Sequence, residues 1–117
     1  MRADPVALIL VLEGLIFMLT VWVTRVWPPK KINMLYGYRT KRSMKSVENW
    51  EFAQAYSRRA MFRGGMAMVA FGVILYPVYE FRHIAVDVVL ILAATIGVCW
   101  WLFRSTEKAL VSFENSD

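Results

Sequence analysis

The chain has 117 residues, of which 58% are hydrophobic and 20% are charged, with a formal net charge of +5. A soluble domain is usually about 45–50% apolar, and here the excess is gathered into three blocks. In a soluble bundle, three such helices would leave too little polar surface to cover them. The composition therefore predicts an all-α membrane protein with a single membrane domain over residues 1–117.

The first apolar block covers about residues 5–27 and has few polar interruptions, among them Glu13. About 20 helical residues cross the roughly 30 Å hydrocarbon core of a bilayer, so this block is long enough to span it. It ends in the bulky sequence RVWPP and offers no small-residue cleavage site. We therefore expect a retained transmembrane helix rather than a cleaved signal peptide.

The segment at 28–59 is the most polar part of the chain and contains NMLYGYRTKRSMKSVENW at 33–50. Two prolines at its start stop the first helix, because neither can donate a backbone hydrogen bond. Gly37 lies between two tyrosines, which predicts a tight turn with positive φ. Ser43 or Ser46 can cap a helix that follows.

Residues 47–59 contain neither Gly nor Pro, and they predict an amphipathic helix in this loop at the inner membrane interface. Trp50 has an apolar body and one N–H, which fits an interfacial anchor. This helix is either separate from the second span or continuous with it.

Two further apolar blocks, at about 60–79 and 84–103, are each long enough to cross the bilayer. Three transmembrane helices are therefore expected. Close backbone approach at small residues holds membrane helices together. Three pairs of small residues have the spacing for such packing: Ala60 with Gly64, Gly65 with Gly72, and Ala93 with Gly97.

The cations are distributed unevenly around these blocks, with most of them in 28–59 and a few after residue 103. Since cytoplasmic loops carry an excess of Lys and Arg, we expect the loop and the carboxyl terminus in the cytoplasm. The amino terminus and the turn at 80–83 should then lie outside. The basic loop would face an anionic inner leaflet rather than nucleic acid, because no nucleic-acid recognition module accompanies it.

Arg39 is the most suggestive side chain of the loop. Its guanidinium is a rigid fork of donors suited to a carboxylate or a phosphate, and Glu48, Glu51 or a lipid phosphate are the expected partners. Asn33, Tyr38 and Thr40 can satisfy backbone groups of a folded loop. The set therefore either folds the loop onto the helices or forms a site for a peptide, a lipid head group or a partner protein.

Two carboxyl groups fall within the predicted spans. A charge in the middle of a span costs roughly 2.5–3.5 kcal/mol, so Glu13 should be functional or paired, most simply with a neighbouring span through Tyr76. A proton or ligand relay at Glu13 is the alternative. Asp87 is shallower, and in the first turn of the third span it favours the positive end of that helix.

The chain shows no pattern typical of an enzyme. His83 is its single histidine, and it lies at the predicted outer turn. We therefore expect neither a His-based triad nor a multi-histidine metal site. We predict no catalytic residue, no metal and no cofactor.

Asn33, the string YGYRT at 36–40, Ser43 and ENWEFA at 48–53, followed by a span, together resemble the signature of the SdpI family of small bacterial membrane proteins. The resemblance covers roughly residues 25–103. The family is named for the immunity protein that protects sporulating cells from a secreted cannibalism toxin. The resemblance implies a multi-pass protein of the bacterial cytoplasmic membrane. From the chemistry of its side chains we predict the loop motif as the binding site, with these residues: Asn33, Tyr36, Gly37, Tyr38, Arg39, Thr40, Ser43, Asn49 and Trp50.

Two classes of function remain open from the sequence. One is an immunity or signalling component that binds a membrane-active peptide, such as a toxin, or a partner protein. The other is a small transport or proton-handling unit centred on Glu13, which would need a homo-oligomer because three helices enclose little space. An accessory subunit of a membrane complex is a third reading.

Overall fold

The structure, a computed structural model, describes residues 5–33, 35–78 and 84–116. Three helices form: α1 (Pro5–Val26), α2 (Val47–Val78) and α3 (Ile84–Asn115). Each contains a window long and apolar enough to cross a membrane. The predicted all-α class with three candidate transmembrane helices is therefore confirmed, whereas the predicted turn at 80–83, with His83, lies outside the described residues.

A serine cap sets the beginning of α2. The Oγ of Ser46 accepts a hydrogen bond from the backbone N–H of Asn49 at 3.0 Å, which satisfies one donor of the first turn. Ser43, the other candidate cap, lies in the preceding turn instead. From there α2 continues unbroken through Gly64 and Gly65. The predicted loop helix is thus the first part of α2 and not a separate element.

Helices α1 and α2 pack antiparallel through their glycines. A Cβ built at Gly14 would lie 2.6 Å from the carbonyl oxygen of Gly65, and one at Gly72 would lie 2.8 Å from that of Ala7. Backbones can come this close only where a side chain is missing. The prediction that Gly65 and Gly72 form a packing face is confirmed, and α1 is the partner of that face.

Helix α3 touches the others along a narrower face. Ile91, Ala94 and Val98 pack against a small core of buried residues from α1 and α2, namely Val6, Leu10 and Met68. Ala93 and Gly97 are exposed, and a Cβ built at Gly97 would have no atom of the described residues within 4 Å beyond the adjacent backbone of α3 itself. The prediction that this pair packs helices together is wrong within the described chain, because α3 turns the adjacent face to the core.

Two of the helices are much longer than the bilayer requires. α2 and α3 have 32 residues each and α1 has 22, so both are about 15 Å longer than α1. The third span, predicted to end at 103, belongs to a helix that continues to Asn115. The extra turns run side by side, with the ring centroids of Phe52 and Phe113 4.5 Å apart. We call these turns, residues 47–59 and 104–115, the head.

Candidate functional site

The connector, residues 27–46, folds back onto the head. Trp50 is only 1% exposed, and its indole Nε1 donates a hydrogen bond to the carbonyl oxygen of Pro29 at 2.6 Å. The prediction of an interfacial anchor is wrong, since the indole is enclosed by the protein and its one polar atom is satisfied there. Trp50 fixes the point at which the chain leaves α1.

The turn at Gly37 is anchored on α2. Gly37 has a φ of +101°, as predicted, and a Cβ there would lie 2.6 Å from Oε1 of Gln54. The backbone N–H of Tyr38 donates to Gln54 Oε1 at 2.7 Å, and Gln54 Nε2 donates to the Tyr38 carbonyl oxygen at 2.7 Å. One buried amide therefore satisfies both backbone groups of Tyr38, as a neighbouring strand would.

Glu107 of α3 ties the same stretch to the third helix. Its Oε2 accepts hydrogen bonds from the hydroxyl of Tyr38 at 2.8 Å and from that of Thr40 at 3.0 Å. Burial raises the pKa of Tyr38 well above its ordinary value, and the nearby Glu107 carboxylate adds to the shift. The phenol therefore remains a hydrogen-bond donor at neutral pH, and the contact weakens only in strongly alkaline solution.

A second carboxylate, Glu114, lies seven residues after Glu107 on α3. It binds the next part of the connector. It accepts a hydrogen bond from Asn49 Nδ2 at 2.6 Å and forms an ion pair with Arg42 at 3.0 Å. Asn49 also donates to the Arg42 carbonyl oxygen at 3.0 Å. Asn49, a predicted binding residue, is 5% exposed, so it joins α2, α3 and the connector and has little surface for a ligand.

Asn33, Thr40 and Ser43 shape the connector locally. Asn33 Oδ1 accepts hydrogen bonds from the backbone N–H groups of Leu35 and Tyr36 at 2.9 and 2.7 Å. Thr40 and Ser43 exchange reciprocal bonds between backbone N–H and side-chain oxygen at 2.8 and 3.1 Å. These side chains satisfy backbone groups that would otherwise be lost on folding, which is the role predicted for Asn33 and Thr40.

A cavity of about 340 Å³ opens where the connector meets all three helices. Gln54 and Ser57 are buried in its wall, while Arg39 is exposed at it. The guanidinium of Arg58 donates to the carbonyl oxygen of Thr24 at 3.2 Å. Among the described residues, the lining holds two arginines and no carboxylate: Thr20, Thr24, Pro29, Tyr36, Gly37, Tyr38, Arg39, Gln54, Ser57, Arg58, Met61 and Leu102.

The predicted binding residues thus separate into two groups. Tyr36, Gly37, Tyr38 and Arg39 line the cavity. The others brace the connector from outside the cavity lining: Asn33, Thr40, Ser43, Asn49 and Trp50. An anionic group of small size is the ligand that the cavity suits chemically, because its charged lining is cationic.

The two predicted intramembrane acids lie away from this cavity. The hydroxyl of Thr95 on α3 donates to Glu13 Oε2 at 2.7 Å, so Glu13 is paired with a neighbouring span, as expected, but through Thr95 rather than Tyr76. Asp87 lies in the first turn of α3, as predicted, and is 3% exposed.

Sequence reasoning missed Gln54, Glu107, Glu114 and Thr95. A signal for the two acids was present, because their spacing of seven places both on one face of a helix. This signal was missed because the third span was predicted to end at residue 103. Among residues 5–33, 35–78 and 84–116, no group of three His, Cys, Asp or Glu side chains is placed to hold a metal ion.

Comparison with known proteins shows the family of the chain. The model of the SdpI/YfhL protein family matches residues 30–103, which includes the cavity-lining stretch from Tyr36 to Arg39. The chain is also 35% identical over 86 residues to an uncharacterized protein, YfhL, of Bacillus subtilis strain 168. That match covers 74% of this chain and 71% of YfhL. No solved structure matches the chain. The chain therefore belongs to the SdpI/YfhL family.

Proposed function

We propose that this chain is a binding protein of the bacterial cytoplasmic membrane, with an immunity or signalling role. Its ligand would be a membrane-active peptide or an acidic segment of a partner protein, and the cavity around Arg39 would receive the ligand's carboxylate. The amino terminus would lie outside and the head and connector in the cytoplasm, in agreement with the many Lys and Arg residues of the connector. No chemical step is part of this proposal, so the chain would not be an enzyme.

The observation that carries the proposal is the convergence of the Tyr36–Arg39 stretch on one cavity of about 340 Å³. Elaborate bracing holds this stretch: Gln54 binds the Tyr38 backbone, and Glu107 binds the Tyr38 hydroxyl. Simple loop closure needs no such precision, whereas a binding site needs its polar groups fixed before the ligand arrives.

The chemistry of the cavity favours a carboxylate. The hydroxyls of Thr24 and Ser57 already donate to backbone carbonyl oxygens, at 3.0 and 3.3 Å. The arginines are the charged donors of the lining, and a planar guanidinium matches the two oxygens of a carboxylate. Tyr36 and Met61 add apolar surface beside them, which suits a peptide end better than a free ion.

Replacing Arg39 with alanine should abolish protection while the protein still inserts and folds, because Arg39 lies exposed at the cavity and not in the core. The assay expresses the chain in toxin-sensitive bacteria and measures survival against the secreted cannibalism toxin of the family's namesake. Loss of one charge-assisted contact costs about 1.5–3 kcal/mol, roughly a 10- to 150-fold loss of affinity.

Lys41→Ala is the matched control, since Lys41 is an exposed cation of the same connector that lies outside this cavity. Arg39→Lys keeps the charge but loses the fork, so it should protect only in part. Full protection by Arg39→Ala would contradict the Arg39 cavity as the binding site. No protection by the wild-type chain would count against an immunity function.

A second candidate function is proton handling, which the Glu13–Thr95 contact favours. The Thr95 hydroxyl lies 2.7 Å from Glu13 Oε2 and 2.8 Å from the Ile91 carbonyl oxygen. The hydroxyl has one proton to donate, which these two oxygens share. A carboxyl in contact with a hydroxyl of a neighbouring span would be the centre of a relay, in an oligomer or as an accessory part of a larger complex.

Purified protein in liposomes with an enclosed pH-sensitive dye tests this second candidate. Proton flux should be present with the wild-type chain and reduced at least about tenfold in Glu13→Gln, which keeps the shape but cannot release a proton. Asp87→Asn is the control for a carboxyl elsewhere in the spans. Equal flux in wild type and Glu13→Gln would exclude the relay.

A further inference from the structure

A second cleft is lined by residues of α1 and α2. It has a volume of about 560 Å³ and is lined by six residues: Val21, Arg25, Arg58, Arg59, Phe62 and Arg63. Four of the six are arginines, and none is acidic. Such a concentration of like charge is unfavourable unless an anion or water screens it.

The protein itself supplies little of that compensation. Arg25 lies in the last turn of α1, where the helix end carries a partial negative charge, and Arg58 donates to the Thr24 carbonyl oxygen. Within the described residues, none of the four arginines forms a salt bridge, and both observed ion pairs lie at Glu114. The charge of the cleft is therefore available to a ligand.

The position of the cleft identifies the class of ligand. It lies at the carboxyl end of α1, where the apolar part of each helix gives way to the polar connector and head. Head-group phosphates of a bilayer lie at this level. Val21 and Phe62, the latter 42% exposed, present apolar surface beside the cations. A phosphate with an attached acyl chain satisfies both features, and a free phosphate ion satisfies one.

We propose that this cleft is a specific site for one anionic phospholipid, with its head-group phosphate held by Arg59 and Arg63. These two residues are one turn apart on α2, so their guanidinium groups share one face of the helix. Arginine forks bind phosphate oxygens in pairs, and basic pockets between helices on the cytoplasmic side are typical lipid sites. The proposal is independent of the function proposed for the Arg39 cavity.

Native mass spectrometry of the purified full chain in detergent tests the site, with phosphatidylglycerol titrated in. We expect one bound lipid per chain, and Arg59→Gln/Arg63→Gln should weaken its binding about tenfold or more, because charge-assisted bonds are lost. Arg58 is left unchanged because it also lines the Arg39 cavity. The double variant Arg104→Gln/Lys108→Gln is the matched control: it removes two exposed cations of α3 that lie outside the cleft, and it should bind as the wild type does.

Three results would overturn the proposal. Equal losses in the two double variants would mean that overall charge, and not this cleft, attracts the lipid. Equal binding of phosphatidylcholine by the wild-type chain would remove the preference for an anionic lipid. Displacement of the lipid by an equal concentration of inorganic phosphate would indicate a plain anion site. The last two comparisons use the wild-type chain, so they stand even if a variant folds poorly.

Discussion

Replacing Trp50 with alanine should lower the free energy of unfolding by about 3–5 kcal/mol, the range for removing a large aromatic side chain from a core. Trp50 is the largest fully buried side chain of the described chain, and its loss would also leave the Pro29 carbonyl oxygen without its donor. Denaturation in detergent micelles, followed by circular dichroism, measures this change.

Trp100→Ala is the control for Trp50→Ala, because Trp100 is 58% exposed and its loss should cost much less. Equal losses in the two variants would contradict the enclosure of Trp50 by the connector. Trp50→Ala should also abolish any binding that depends on the connector. That loss would come from unfolding of the site and not from the loss of a contact with the ligand. The protection assay therefore rests on Arg39, which lies exposed at the cavity and not in the core.

Replacing Gly14 with alanine should destabilise the protein by about 1–3 kcal/mol, as overpacking does in a dense core. The new Cβ would lie 2.6 Å from the Gly65 carbonyl oxygen and 2.6 Å from a methyl of Val69. Since a backbone atom of α2 is one of the two, the helices must move apart. Unfolding in micelles by titration with a denaturing detergent gives the difference in free energy.

Gly97→Ala is the control for Gly14→Ala, because it should not lower the stability of the protein. A Cβ at Gly97 would have no atom of the described residues within 4 Å beyond the adjacent backbone of α3 itself, and alanine is favoured over glycine in a helix by about 1 kcal/mol. This variant should therefore be neutral or slightly more stable. A loss of stability in Gly97→Ala as large as that in Gly14→Ala would contradict the open space beside Gly97.

The sequence predicted those features that depend on residues close together in the chain. The apolar blocks predicted the three helices, and Gly37 predicted a turn that needs positive φ. Ser46 was one of the two predicted caps of α2. The role of Asn33 in the connector was also predictable, because its partners are two and three residues away.

The braces of the candidate site were not predictable in this way. Tyr38 meets Glu107 across 69 residues, and Asn49 meets Glu114 across 65. Arg39, a predicted binding residue, lines the cavity. Gln54 lines it too but was not predicted, because an amide on a helix has no distinctive pattern. Trp50 was misassigned since a buried and an interfacial tryptophan share the same amphipathic chemistry.

By itself the amino-acid sequence determined that three helices can cross a bilayer, where the polar connector lies, and that Tyr36 to Arg39 are unusual in it. These are properties of composition and short spacing, which act before the chain is folded. Only the tertiary structure decided that α2 and α3 extend into a head and that α1 meets α2 at Gly14 and Gly65. It also decided that Glu107 and Glu114 bind the connector. Such contacts join distant residues, and their partners are chosen by which helix faces meet and not by any local preference.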